Sequence, residues 1–168
     1  SLTKFINGAS DAVGGVVCAD EEFITAMLDV NNGAGMLLGP VMDPIRAASI
    51  LKNMRTLHIR MKQHSHNAQF ISEHFLKEGI KVYYPGIESH PQFSLMNKSY
   101  NKEFGYGGML ILDVKTKENA YAFMEAMQND NIGYLAVSLG FYKTLFSAPG
   151  SSTSSEIPEK EQNQMGLS

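Results

Sequence analysis

The sequence predicts an α/β chain, on three observations. A long amphipathic helix opens at Asp43-Pro44, strand-length apolar runs alternate with a helical one beyond Gly79, and a short apolar run at Val16 to Ala19 precedes a capped helix.

In chain order, Ser1 to Gly15 is rich in Gly, Ser, Asn and Asp without sustained apolar periodicity, so it reads as an ordered loop. Val16-Val17-Cys18-Ala19 reads as a short buried strand. Asp20 then caps a helix whose first turn holds Glu21 and Glu22, where carboxylates complement the helix dipole, with Phe23, Ile24, Met27 and Leu28 on one face. The helix fades near Asn31-Asn32-Gly33.

At Asp43-Pro44 a good N-cap precedes a proline at the first helical position, where its missing N–H is not needed. Ala47, Ile50, Leu51, Met54, Leu57, Met61, Ala68, Ile71 and Phe75 recur at three- and four-residue steps, which carries the helix to about Gly79. A helix of about 35 residues would be about 50 Å long. That length predicts either a bridge between two domains or a break near the middle. Beyond Gly79 come strands at Ile80 to Tyr84 and Met109 to Val114, a helix capped by Thr116, and a strand at Tyr134 to Leu139. Phe93 to Phe104 is polar enough to read as an exposed excursion, and a polar helix starts after Pro158. The absence of an initiator Met at Ser1, and of a closing element at Met165-Gly166-Leu167-Ser168, reads as a cut at each end.

Composition narrows the function. The 168 residues are 43% hydrophobic with a net charge of -3, and Lys and Arg are scattered rather than blocked, which excludes an electrostatic footprint for nucleic acid or anionic membrane. No apolar run approaches the roughly 20 residues of a membrane span. The single cysteine, Cys18, excludes an internal disulfide and fits a reducing cytoplasm. His58, His66 and His74 lie eight apart on the long helix with His64 among them, but apart from His74 with Glu73 or Glu78 no carboxylate or thiol stands at a spacing that would complete a metal-binding face, so no metal is expected. Gly33-Ala34-Gly35 with Gly39 has the wrong spacing for a dinucleotide loop and reads as a connection between helices. The ten methionines fall mostly at core spacing and read as packing.

Ser1-Leu2-Thr3-Lys4 places two hydroxyls and one amine within four residues, ahead of the turn-forming segment Asn7-Gly8-Ala9-Ser10-Asp11. Hydroxyls are neutral donors to a phosphate, and lysine is the residue type whose ammonium gives up its proton when desolvated and then attacks an aldehyde. The pattern suits a phosphate-bearing aldehyde, although S-x-T-K alone is a weak motif and more often marks a surface lysine in a loop.

The longer stretch from Ser1 to Gly15 resembles the Schiff-base segment of the Cys/Met-metabolism enzymes that use pyridoxal 5'-phosphate (PLP). A second match, Ala136-Val137-Ser138-Leu139-Gly140 with Thr144-Leu145, Pro149 and Thr153, has the order and spacing of that family's substrate-carboxylate region. Leu38-Gly39-Pro40, Arg60-Met61 to Asn67-Ala68 and Tyr84-Pro85-Gly86 extend the resemblance along the chain. Within the family, Met36 to Pro40, His64-Ser65-His66, Gly105 to Gly108 and Gly150 to Glu156 look most like the plant-like methionine γ-lyases.

The resemblance implies the aspartate aminotransferase-like PLP fold (fold type I). Residues 1–57 would end a large PLP-binding domain, and residues 58–168 would form most of a small carboxyl-terminal domain. It implies that Lys4 is the Schiff-base lysine and shuttles protons, that Ser1 and Thr3 contact the cofactor phosphate, and that Ser138 and Thr153 lie on the substrate side. The implied reaction is α,γ-elimination from methionine to 2-oxobutyrate, ammonia and methanethiol. The alternatives are γ-replacement, as in cystathionine γ-synthase or an O-acylhomoserine sulfhydrylase, cystathionine γ-lyase activity, or a non-catalytic self-associating domain. The partners implied are a small sulfur amino acid and further copies of the chain, as a homodimer or homotetramer.

Three positions depart from the family: Ala9 and Ser154 where many members carry histidine, and Lys143 where many carry an acidic residue. The family's ring-stacking tyrosine, its aspartate at the pyridine nitrogen and its carboxylate-binding arginine have no counterpart here, so these residues alone are expected to be catalytically incomplete.

Overall fold

The structure, a computed structural model, describes residues 1–165, and the last three residues of the Met165-Gly166-Leu167-Ser168 end lie outside them. The chain divides into two compact units, Ser1–Leu57 and His58–Ser168.

The first unit begins with a wide turn at Leu2–Ile6 and continues through helices α1 (Glu21–Met27), α2 (Ala34–Leu38) and α3 (Pro44–Met54). Local chemistry sets these starts. The Asp20 carboxylate accepts from the Phe23 N–H at 2.8 Å, satisfying a donor that has no partner within the helix. The Asp43 carboxylate accepts from the N–H groups of Ile45 at 3.1 Å and Arg46 at 3.0 Å, while its second oxygen takes the Arg46 guanidinium at 2.8 Å. Those bonds, the Arg46 N–H first, hold the Asp43 carboxyl below the usual carboxylate range. Its stabilising effect is therefore present above the unfolded carboxyl's pKa and is lost as pH falls through the lowered folded value. Asp43→Ala is expected to melt at lower temperature near neutral pH, and the gap to the parent should close under acid; a set of melting curves from pH 7 to pH 2 checks this.

Two expectations fail in this unit. Val16 to Ala19 forms no strand, and Val16 and Val17 are 56% and 54% exposed. A strand needs a neighbour for its N–H and C=O groups, and among the described residues this segment pairs with none. The glycine-containing connection after Gly33 is partly helical as α2, which Gly39 ends at φ +59, a left-handed conformation that costs a Cβ-free residue little.

The expected long helix breaks at Arg55-Thr56 into α3 and α4 (Leu57–Lys77). Both the Thr56 N–H, at 3.3 Å, and its hydroxyl, at 3.2 Å, donate to the Asn53 carbonyl. A threonine hydroxyl on that carbonyl competes with continued helical bonding.

In the second unit β1 (Lys81–Tyr83) pairs antiparallel with β2 (Ile111–Asp113), in a register of Lys81 with Asp113 and Tyr83 with Ile111. Its core is Ala68 of α4 with Val82, Tyr84 and Ile87, against which Phe75, Tyr106, Leu110 and Leu112 pack. Tyr84 is fully buried and its hydroxyl donates to the Gly107 carbonyl at 2.8 Å, while the Gly107 N–H donates to the Ser65 hydroxyl at 2.9 Å. The Phe93 to Phe104 stretch is more ordered than its polarity predicts. It contains α5 (Phe93–Ser99), and the Tyr100 ring stacks on Tyr106 with centroids 4.4 Å apart.

The capped helix appears as α6 (Lys117–Asn129), where the Thr116 hydroxyl accepts from the Asn119 N–H at 3.2 Å. The expected strand from Tyr134 shortens to β3 (Tyr134–Leu135), which pairs parallel with β4 (Leu145–Phe146). The polar helix after Pro158 is α7 (Glu159–Met165), in which the buried Gln162 amide donates to the carbonyls of Ser154 and Ile157 at 3.0 and 2.7 Å. Helix and strand are thus mixed as an α/β chain requires. Among the described residues no helix is long and apolar enough to cross a membrane.

Candidate active site

Lys4 sits in the Leu2–Ile6 turn, with φ -92 and ψ -117 departing from helical values. The turn is closed by the Asn7 N–H on the Leu2 carbonyl at 2.9 Å and by the Gly8 N–H on the Lys4 carbonyl at 2.7 Å. Gly8 itself adopts φ +72, which lets the chain reverse directly after the turn.

Gly14 braces the other side. Its carbonyl accepts from the Leu2 and Thr3 N–H groups at 2.9 and 3.3 Å. The Thr3 hydroxyl donates to that carbonyl at 3.2 Å and accepts from the Gly14 N–H at 3.0 Å. A hydroxyl has one proton to give, so Thr3 here serves the loop, and serving a phosphate oxygen would require its proton to leave the Gly14 carbonyl. Ser1 is exposed and its side chain makes no capping bond, which leaves that hydroxyl oriented by nothing in the turn.

Behind the turn lies a polar cluster that fixes its far end. The Asn7 side-chain amide donates to Asp11 Oδ1 at 3.0 Å, and Asn53 of α3 donates to Asn7 Oδ1 at 2.8 Å and to Asp11 Oδ1 at 3.3 Å. The Asn7 bond, and after it the Asn53 bond, holds the Asp11 carboxyl below the usual range. The turn-forming character of Asn7 to Asp11 was legible in the sequence. Asn53 was not, because an asparagine near a helix end carries no sign of a partner 46 residues away.

The remaining site residues belong to the second unit. Ser138 is exposed in the 136–144 connection between β3 and β4, where Gly140 takes φ +78. In the same connection the Lys143 ammonium donates to the Tyr134 hydroxyl at 2.8 Å, a bond that raises the lysine above its usual range. Thr153 is exposed in the turn after Pro149–Ser151, a turn tied by the Ser154 N–H on the Pro149 carbonyl at 2.9 Å. The structure therefore gathers Ser1, Thr3 and Lys4 in one turn, and carries Ser138 and Thr153 on separate loops of the other unit. Among the described residues no group of three or more His, Cys, Asp or Glu side chains is placed to hold a metal.

Comparison with known proteins decides the family. The model of the Cys/Met-metabolism PLP-dependent enzymes matches residues 1–168, the whole chain. The chain belongs to that family. A methionine γ-lyase of Arabidopsis thaliana is 43% identical over 169 residues, spanning 100% of this chain and 38% of the relative. The crystal structure of yeast cystathionine γ-lyase aligns with a TM-score of 0.86 at 28% identity, over 99% of this chain and 42% of that one. A putative O-acetylhomoserine (thiol)-lyase of Campylobacter jejuni aligns at 0.83 and 26% identity, over 100% of this chain and 47% of that one, and its structure carries an N'-pyridoxyl-lysine-5'-monophosphate. These alignments bear out the PLP-enzyme fold expected from the resemblance. The chain spans about two-fifths of the length of the curated relatives it matches.

The donor set at Lys4 fits the family's cofactor. A primary amine lies three residues from an exposed hydroxyl with no capping duty, on a turn braced from both sides by backbone bonds. A rigid loop of this kind holds an amine in one place without a large ordering cost on binding.

Proposed function

We propose that the protein carrying this chain is a PLP-dependent sulfur amino acid lyase of the methionine γ-lyase type, with Lys4 as the cofactor-bearing amine. The observation that carries this reading is the 43% identity to a methionine γ-lyase across the whole chain, which includes the lysine turn and the Ser138 connection. On this reading the Ser1–Leu57 unit ends the cofactor-binding domain and the His58–Ser168 unit is the smaller one. Ser1 donates to the cofactor phosphate, Thr3 joins it when its proton turns from the Gly14 carbonyl to the phosphate, and Ser138 and Thr153 serve the substrate carboxylate side. The whole protein acts as a homodimer or homotetramer, which light scattering of the purified protein would measure.

The chemistry divides between the cofactor and the chain. PLP, when bound, supplies the electron sink for charge developing at substrate Cα and Cβ, which no side chain can provide. The Lys4 amine accepts a proton from Cα and returns protons as the thiolate leaves, acting as general base and then general acid. Ser138 orients the substrate by donating its hydroxyl proton to the carboxylate. With water consumed, methionine gives 2-oxobutyrate, ammonia and methanethiol.

Supplying the whole protein with methionine alone, and separately with O-acetylhomoserine plus a thiol, tests the elimination reading. Release of 2-oxobutyrate from methionine supports it. Thioether formation from the second mixture without turnover of methionine would transfer the assignment to γ-replacement.

A further inference from the structure

Asn7 is 1% exposed, and a buried amide has to place both its donor and its acceptor. A carboxylate such as Asp11 only accepts, so the Asn7 NH2 must face it, as it does at 3.0 Å. The Asn7 carbonyl oxygen is then left to accept, and the Asn53 amide meets it at 2.8 Å while also donating to the same Asp11 oxygen at 3.3 Å. The backbone of Asn7 closes the turn that contains Lys4, and the next N–H, from Gly8, holds the Lys4 carbonyl itself at 2.7 Å. A chain of short bonds thus runs from the end of α3, through a fully buried amide, to the peptide that carries the Lys4 side chain. Ser49 extends the same anchorage, its hydroxyl lying 3.5 Å from the second Asp11 oxygen.

We propose that Asn53 is a positioning residue for Lys4, acting through the buried Asn7 amide and Asp11 to fix the direction from which the lysine amine meets the cofactor. The proposal rests on the reading of Lys4 as the cofactor-bearing amine. Without Asn53 the Asn7 oxygen is buried with no donor, a state that costs enough to drive the amide toward water. The Asn7 backbone then turns with it, and the Lys4 carbonyl follows. Asn53 is itself only partly buried, so its replacement leaves the apolar contacts of the unit in place.

The test uses the whole protein with its cofactor. Borohydride reduction and peptide mapping of the unsubstituted protein come first, followed by the pH titration of the cofactor's visible absorbance in Asn53→Ala and Asn53→Gln. We expect the adduct on Lys4, a midpoint moved by about half a pH unit or more in Asn53→Ala, a several-fold lower kcat with little change in KM, and recovery in Asn53→Gln, which retains the amide donor. Should Asn53→Ala not fold, Asn53→Asp, equal in shape but lacking the donor, carries the same expectation. An adduct on Lys4 with an unmoved midpoint and a lowered melting temperature alone would overturn the role of Asn53 and leave the Lys4 reading standing. An adduct on another lysine would overturn the Lys4 reading and the positioning role with it.

Discussion

Replacing Lys4 by alanine in the whole protein is expected to remove the borohydride-fixed pyridoxyl adduct from the Ser1 to Gly15 peptide and to lower turnover by about 10²- to 10⁴-fold, the contribution of one positioned proton-transfer group. The expectation follows from the architecture of the turn. Gly14 holds Leu2 and Thr3 on one side, and Asn7 and Gly8 close it on the other, so no other lysine of the first unit sits in an equivalent brace. Lys4→Arg, which keeps the charge but cannot deprotonate, should behave as Lys4→Ala does. Peptide mass mapping after reduction, read beside the rate of 2-oxobutyrate release, checks both. An adduct and full turnover in Lys4→Ala would exclude Lys4 as the anchor.

The largest stability effect is expected at Tyr84, where the ring fills the core of the second unit and the hydroxyl holds the Gly107 loop. Tyr84→Ala should cost about 3–5 kcal/mol, because a buried ring leaves a cavity that its surroundings fill only in part. Tyr84→Phe keeps the ring and should cost about 1–2 kcal/mol for the lost bond and the stranded carbonyl. The comparison separates packing from hydrogen bonding, and urea unfolding of the two variants measures it.

Gly86 reports on the same contact. A Cβ there would overlap Gln69 Oε1 and lie 2.6 Å from Tyr84 Cε1 and 2.7 Å from Tyr106 Cδ2, so Gly86→Ala should destabilise by about 1–3 kcal/mol through overpacking.

Tyr84 also gives the second unit an alkaline limit. Burial first, and Tyr106 after it, push its phenol from the ordinary value of 10.0 up to about 12. As pH rises through that interval the unfolded chain loses the Tyr84 proton before the folded one does, so stability is full below about pH 10 and falls toward about pH 12. Tyr84→Phe should lack this part of the alkaline loss.

The sequence by itself determined the features whose causes lie within a few residues. The caps at Asp20, Asp43 and Thr116 bond the N–H groups two or three positions ahead, so a pattern of side chains is enough to place them. The lysine segment and its family were legible for a related reason, since a motif is a local order of residue types. Tertiary structure decided what depends on distant partners. The Thr3 hydroxyl is committed to Gly14, 11 residues on, and Asn53 reaches back 46 and 42 residues to Asn7 and Asp11. Val16 to Ala19 has the composition of a strand yet pairs with no other segment among the described residues, and a strand exists only through its neighbours. Periodicity ran unbroken across Arg55-Thr56, but the Thr56 hydroxyl on the Asn53 carbonyl ended one helix and let the next begin, a competition between side chain and backbone to which apolar spacing is blind.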